Sequence, residues 1–261
     1  MSEEFTVDAP DARIHGVDTP GAEPPVLFLN GGFATRRSWR HVLARLGGTH
    51  RTVTFDARGR GRSGTPADWS LRAMIDDVDR MIEARGLDLP ILVGWSHGAT
   101  IAVCCAAEYP DLVGGLVLVD GAYPVSVLDE QGGRRVRERF LSPGPVTRVR
   151  AFLGGSARVP PREAAEVVIG TDEVNGGLEA DLAALSCPTA FVVGRGEHSG
   201  AIGPQAHALR AAAAGAAARN DQLTLFGTTS SAHGRVLTRD AGLVASAIAD
   251  VARRSIRRPD R

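Results

Sequence analysis

Apolar residues along this chain alternate between short continuous runs and longer stretches of helical period. Residues 26–29, 90–94, 115–120 and 189–194 are unbroken or nearly unbroken apolar runs, as strands covered on both faces require, and Thr52-Val53-Thr54-Phe55-Asp56 reads as a further strand. Between them lie segments with helical spacing at 37–46, 99–108, 204–218 and 240–253. The clearest example places Leu71, Met74, Ile75, Val78, Met81 and Ile82 at i, i+3, i+4 intervals on one helical face. Residues 222–226 add a last strand, and 5–19 read as a hairpin that turns around Pro10 and Asp11. Strands that alternate with helices predict an α/β fold with a mostly parallel central sheet and helices on both faces. Chemistry in such sheets gathers at the carboxyl ends of the strands.

The alternation breaks between residues 121 and 185, where several short helical stretches are expected and no strand. The expected organisation is therefore a core of residues 1–120 and 186–261, interrupted by a helical cap over 121–185. Arginines 134, 135, 137, 139, 148, 150, 158 and 162 face a single acid, Glu138, across 131–162. Residues 163–185 then carry Glu163, Glu166, Asp172, Glu173, Glu179 and Asp181 with no basic residue. Pairing between the two halves is the simpler expectation. The functional alternative is an inward arginine that holds an anionic group of a substrate, a task suited to a bidentate guanidinium.

At 261 residues the chain can bury roughly 70–75% of its unfolded surface in one large domain. Thirty basic residues, all arginine, balance thirty acidic ones. No basic field therefore points to nucleic acid or to an anionic membrane. No apolar run reaches the length of a membrane span and the N-terminus is acidic, so the expected location is the cytoplasm. Cys104, Cys105 and Cys187 have no metal-ligand spacing, and neither metal nor organic cofactor is expected. The expected partner is a small molecule, with the protein a monomer or homodimer. The arginine-rich tail from Arg253 is expected to fray.

The residues at the strand ends are Asn30-Gly31-Gly32, Asp56, Ser96, Asp120, residues 194–197 and the loop that holds His233. The most informative is Gly94-Trp95-Ser96-His97-Gly98, set between a strand and a helix. A serine there stands on a sharp turn, with its hydroxyl above the sheet and the helix N-terminus aimed at any oxyanion that forms.

With these residues in view, the chain resembles the α/β-hydrolase superfamily over nearly all of residues 5–253. Three segments carry the likeness: the elbow at Ser96, the run Asp56-Ala57-Arg58-Gly59-Arg60-Gly61-Arg62-Ser63, and Asn30-Gly31-Gly32-Phe33. The second resembles the D-x-R-G-x-G-x-S segment of the family. The third resembles its His-Gly-x turn, with Asn30 in place of the histidine. The resemblance implies Ser96 as nucleophile, His233 as its base, and an acid that orients the histidine. Glu197, just beyond the strand at 189–194, is preferred for the acid, and Asp120 is the alternative. The backbone N–H groups of Gly32 and His97 would form the oxyanion hole, with the His97 side chain only packing or lining the pocket. Phe33, Trp95 and Tyr123 are candidate substrate walls, with Phe140 and Phe152 from the cap.

The implied activity is a serine hydrolase that cleaves a carboxylic ester, lactone or thioester through an acyl-enzyme. A serine at 96 argues against the branches of the family that use aspartate there. A non-hydrolytic cyclase or lyase, a C–C bond hydrolase or a perhydrolase would share the same residues. A binding protein with an inactive site is a further alternative, disfavoured by the complete set of groups.

Overall fold

The computed structural model describes residues 1–142, 158–194 and 204–256. Strands β1 (Glu3–Asp8), β2 (Arg13–Thr19), β3 (Val26–Leu29), β4 (Thr52–Phe55), β5 (Ile91–Trp95), β6 (Gly115–Val119), β7 (Thr189–Val193) and β8 (Leu223–Thr228) form one sheet. Their order is β1-β2-β4-β3-β5-β6-β7-β8. β1–β2 and β2–β4 pair antiparallel, and every pair from β4 to β8 is parallel. The continuous apolar runs follow from burial on both faces. Successive side chains of a strand point to opposite sides, so Leu27, Leu92, Leu116, Leu118 and Phe191 pack in one core. Their neighbours Phe28, Val93, Val117, Val119 and Val192 pack in the other.

Helices α2 (Leu71–Arg85), α3 (His97–Glu108) and α6 (Pro204–Arg219) cover the first face. Helices α1 (Arg40–Leu46), α7 (Val236–Arg239) and α8 (Ala241–Ile256) cover the second. The periodic side chains Met74, Ile75, Val78, Met81 and Ile82 of α2 all reach the core. Ser70 caps its N-terminus by accepting from Ala73 N–H, and Gly86 ends it at φ 53°, a left-handed conformation that suits glycine. Helix α8 runs to Ile256, three residues past the expected start of fraying, and the tail 257–261 lies outside the described residues. Among the described residues no helix is long and apolar enough to cross a membrane.

Residues 121–185 contribute no strand among the described residues. They form α4 (Glu130–Leu141) and α5 (Pro161–Ala184), the latter one helix of 24 residues rather than several short ones. Gly170, Gly176 and Gly177 suggest breaks because each costs about 1 kcal/mol of helix propensity. Burial of Ala164, Ala165, Val167, Ile169, Leu178 and Leu182 offsets that cost, since packing of one face usually dominates helix stability.

The loop after β4 braces the front of the sheet. Asp56 accepts the N–H groups of Arg36 and Arg62, and the Ser63 hydroxyl donates to Asp56 O while accepting His15 N–H. Gly61 sits at φ 50°, where an added side chain would also run into the Asp56 carboxylate. Arg58 is buried and grips Asp77 with two hydrogen bonds of 2.8 and 2.7 Å. Arg58 also donates to Asp11 Oδ1 at 3.1 Å and to Asp68 O at 2.8 Å, so removing Asp77 would leave the buried charge with one carboxylate in place of two. Asp77→Ala is therefore expected to lower stability by about 1.5–3 kcal/mol in urea unfolding. A loss below about 1 kcal/mol would show that Asp11 and Asp68 O hold Arg58 without Asp77.

Candidate active site

Three strand ends meet where β5, β6 and β7 lie side by side. The elbow residues Gly94 and Gly98 are glycines because backbones close in on them. A side chain at Gly94 would strike the Gly98 carbonyl and α3 backbone, and one at Gly98 would strike Leu29 O. Between them Ser96 adopts φ 57°, ψ −122°, a strained combination for a residue with a side chain. Its N–H donates to Val119 O at the end of β6, fixing the turn to the neighbouring strand. The N–H of Asp120 in turn donates to Val192 O of β7, and that of Thr229 to Val193 O. The loops that carry Asp120 and His233 are thus tied to the same sheet edge.

The Ser96 hydroxyl lies 3.0 Å from His233 Nε2, and His233 Nδ1 lies 2.8 Å from Asp120 Oδ2. A carboxylate only accepts, so Nδ1 carries the imidazole proton and Nε2 presents its lone pair to the serine O–H. The Nδ1 position expected of Glu197 is filled instead by Asp120, the alternative acid. Glu197, its neighbour His198 and the aromatic Phe152 lie outside the described residues.

Asp120 is 2% exposed and sits at φ 43°. Gly121 and Gly194 give it room, since a side chain at the first would meet Ser96 backbone and one at the second the Asp120 carboxylate. Tyr123, expected as a substrate wall, is instead 2% exposed and donates its hydroxyl to Asp120 Oδ1 at 2.7 Å. The same hydroxyl accepts Gly194 N–H at 3.1 Å. Burial, with the Asp120 charge adding to it, holds the Tyr123 hydroxyl well above the usual phenol range, so it stays a donor. Neither the tyrosine nor the two glycines were singled out for this role from sequence. The signal lay in small residues flanking an aspartate at a strand end. Tyr123→Phe should remove one donor from a buried carboxylate and the acceptor of Gly194 N–H. A stability loss of about 2 kcal/mol in urea unfolding is expected, and an unchanged midpoint would contradict this bonding.

Facing the serine, the β3–α1 turn brings Gly32 close to α3 and α5. A Cβ on Gly32 would lie 3.7 Å from His97 Cβ and 3.8 Å from Val167 Cγ1. His97 opens α3, and the N–H groups of a first helical turn have no acceptor within their helix. The His97 side chain is buried, 2.7 Å through Nδ1 from the Thr171 hydroxyl of α5. Thr171 donates its own proton to Val167 O, so His97 Nδ1 is the donor to it. Burial, assisted by the Arg60 charge, pulls the His97 pKa down to about 3, and the ring is neutral. Asn30, which stands where the resemblance expects histidine, donates to Phe55 O at 2.6 Å and accepts Trp39 Nε1–H at 2.9 Å. Its amide ties β3, β4 and the start of α1 together.

Trp95 lies against His233, ring centroids 5.3 Å apart. Phe33 is 38% exposed and contacts Phe140 of α4 at 5.6 Å, so an aromatic pair bridges the turn and residues 121–185. Among the described residues one ion pair joins the arginine-rich half of that segment to the acidic half, Arg137 with Glu166, and the other arginine contacts are local or to carbonyls. Arg137 binds Glu166 with two hydrogen bonds, Arg134 meets Glu130, Arg135 approaches Asp129, and Arg158 donates to the carbonyls of Gly61 and Ser63. Arg148 and Arg150 lie outside the described residues.

Comparison with known proteins finds relatives of the fold. Residues 24–141 match the family model described as the alpha/beta hydrolase fold. The chain is 30% identical over 121 residues to epoxide hydrolase 3 of Xenopus tropicalis, a match covering 45% of this chain and 33% of that protein. It is 34% identical over 101 residues to the 2-(acetamidomethylene)succinate hydrolase of Mesorhizobium japonicum, covering 38% of this chain and 36% of that one. These matches span about a third of the length of the curated relatives. Among solved structures, a thermophilic esterase from Thermogutta terrifontis aligns with TM-score 0.74 and 25% identity, over 98% of this chain and 99% of that one.

Proposed function

By its fold the chain is an α/β-hydrolase, and on that premise we propose that it is a serine hydrolase cleaving a carboxylic ester, lactone or thioester. The observation that carries this reading is the hydrogen-bonded line Ser96–His233–Asp120. An alcohol is a weak nucleophile at its own pKa and needs a base within hydrogen-bond reach. Ser96 Oγ attacks the acyl carbon while its proton passes to His233 Nε2. Asp120 holds the Nδ1 proton in place and stabilises the imidazolium. The N–H groups of Gly32 and His97 receive the developing oxyanion, each donor lowering the barrier by about 3 kcal/mol. Collapse of the tetrahedral adduct returns the proton to the departing alkoxide or thiolate. Water, deprotonated by the same histidine, then frees the acid and restores the serine.

Residues 121–185 act in this reading as a cap. Support comes from Val167 above Gly32, from the Thr171–His97 hydrogen bond, and from Thr100 donating to Asn175. A non-hydrolytic enzyme on the same framework would be favoured by an Asn30 free to act on substrate or by a histidine without its aspartate. Asn30 has both ends of its amide engaged in the frame and Asp120 sits on the histidine, so neither condition favours that reading. The test is hydrolysis of p-nitrophenyl esters from acetyl to dodecanoyl in ¹⁸O-labelled water. We expect turnover with one label incorporated into the released acid. Absence of turnover across the series, or an unlabelled rearranged product from a natural-product ester, would overturn the hydrolase reading.

A further inference from the structure

We propose that Arg60 is a positioning residue for the oxyanion site, holding the Gly31–Phe33 turn in the orientation that presents its N–H groups to substrate. The proposal rests on the hydrolase reading above. Arg60 is 1% exposed. Its Nε and Nη2 donate to Gly32 O at 2.9 and 2.6 Å, and Nη1 donates to Arg58 O at 2.6 Å. Among the described residues no carboxylate pairs with it. Burying a guanidinium without a counter-ion costs several kcal/mol, whereas leucine or methionine would fill the space without that cost. Burial, with Arg58 adding to it, draws the Arg60 pKa down to about 10, which leaves the group charged at neutral pH.

What the charge secures is a two-pronged hold on one carbonyl. The Ala34 N–H donates to Gly31 O across the turn, but Gly31 and Gly32 bring no side chains and a Cβ on Gly32 would find only ordinary contacts, so Arg60 is the side chain that holds Gly32 O. The C=O and N–H of a trans peptide point in opposite directions. Fixing Gly32 C=O toward Arg60 therefore fixes Phe33 N–H away from it and sets one of the two torsions at Gly32. That torsion relates the held carbonyl to Gly32 N, so it constrains the direction of the Gly32 N–H assigned above to the oxyanion. The Trp69 ring, 5.7 Å from Arg60 Cζ, backs the guanidinium.

The experiment compares wild type, Ser96→Ala, Arg60→Lys and Arg60→Met on p-nitrophenyl butyrate, with a trifluoromethyl ketone as mimic of the tetrahedral oxyanion. In Arg60→Met, kcat should fall about 30-fold or more and ketone affinity by a matching factor, with KM changed less than about threefold. Arg60→Lys, which retains the charge and one donor, should recover part of both. Unchanged kcat and ketone affinity in a folded Arg60→Met protein would overturn the proposal, as would losses that appear only in KM. Should that variant fail to fold, the wild-type Arg60 Nε–H resonance replaces it. The proposal requires this proton to exchange slowly and to shift when the ketone adduct forms, and an unperturbed or fast-exchanging signal would refute it. Wild-type turnover that does not depend on Ser96 would instead remove the hydrolase reading, and the Arg60 role with it.

Discussion

Replacing Ser96 by alanine is expected to lower ester turnover by about five orders of magnitude, with the folded state preserved. The size follows from the role. Without Oγ there is no acyl-enzyme, and only the oxyanion donors and substrate binding remain to assist water. The substitution adds no new backbone strain, because alanine and serine meet the same steric limits at φ 57°. It deletes one hydroxyl whose partner, His233 Nε2, lies in a half-buried site. The measurement is kcat/KM on a p-nitrophenyl ester, with thermal unfolding recorded in parallel. Retained turnover within about tenfold of wild type would move the nucleophile elsewhere.

Asp120→Asn should cost about four orders of magnitude in kcat, whereas Glu197→Gln should stay within about twofold of wild type. An amide in place of the carboxylate can present N–H to His233 Nδ1. The imidazole would then hold its proton on Nε2, the nitrogen that must accept from Ser96. The size matches the wrong-tautomer effect known for a histidine deprived of its aspartate. Tyr123 can donate to an amide oxygen as it does to Asp120 Oδ1, so the fold should survive. The opposite pattern, an active Asp120→Asn and an inactive Glu197→Gln, would return the acid to the strand 189–193 end.

What the sequence reveals about this site depends on how local each signal is. The elbow is legible because Gly94, Ser96 and Gly98 are each dictated by contacts within a few residues or with the adjoining strand. His233 is legible from its place between the last strand and the last helices. The acid is not, because Asp120 and Glu197 each follow a buried parallel strand and differ only in which strand. The choice depends on how Tyr123, Gly121 and Gly194 shape the space between β6 and β7, and periodicity does not record this. The long helix α5 was hidden by its glycines, since local propensity argues for breaks where packing maintains the helix. Arg60 is the least legible of all. Arginine is seldom buried without a partner, and its acceptor Gly32 lies 28 residues away.

The fluorophosphonate reaction tests most directly whether Ser96 is activated by His233. A folded wild-type protein should be modified once, with the phosphonyl group located on Ser96 by tandem mass spectrometry. His233→Ala should slow that modification by about a thousandfold or more. An unmodified wild-type protein, an adduct on another residue, or equal labelling rates in the two proteins would contradict the account.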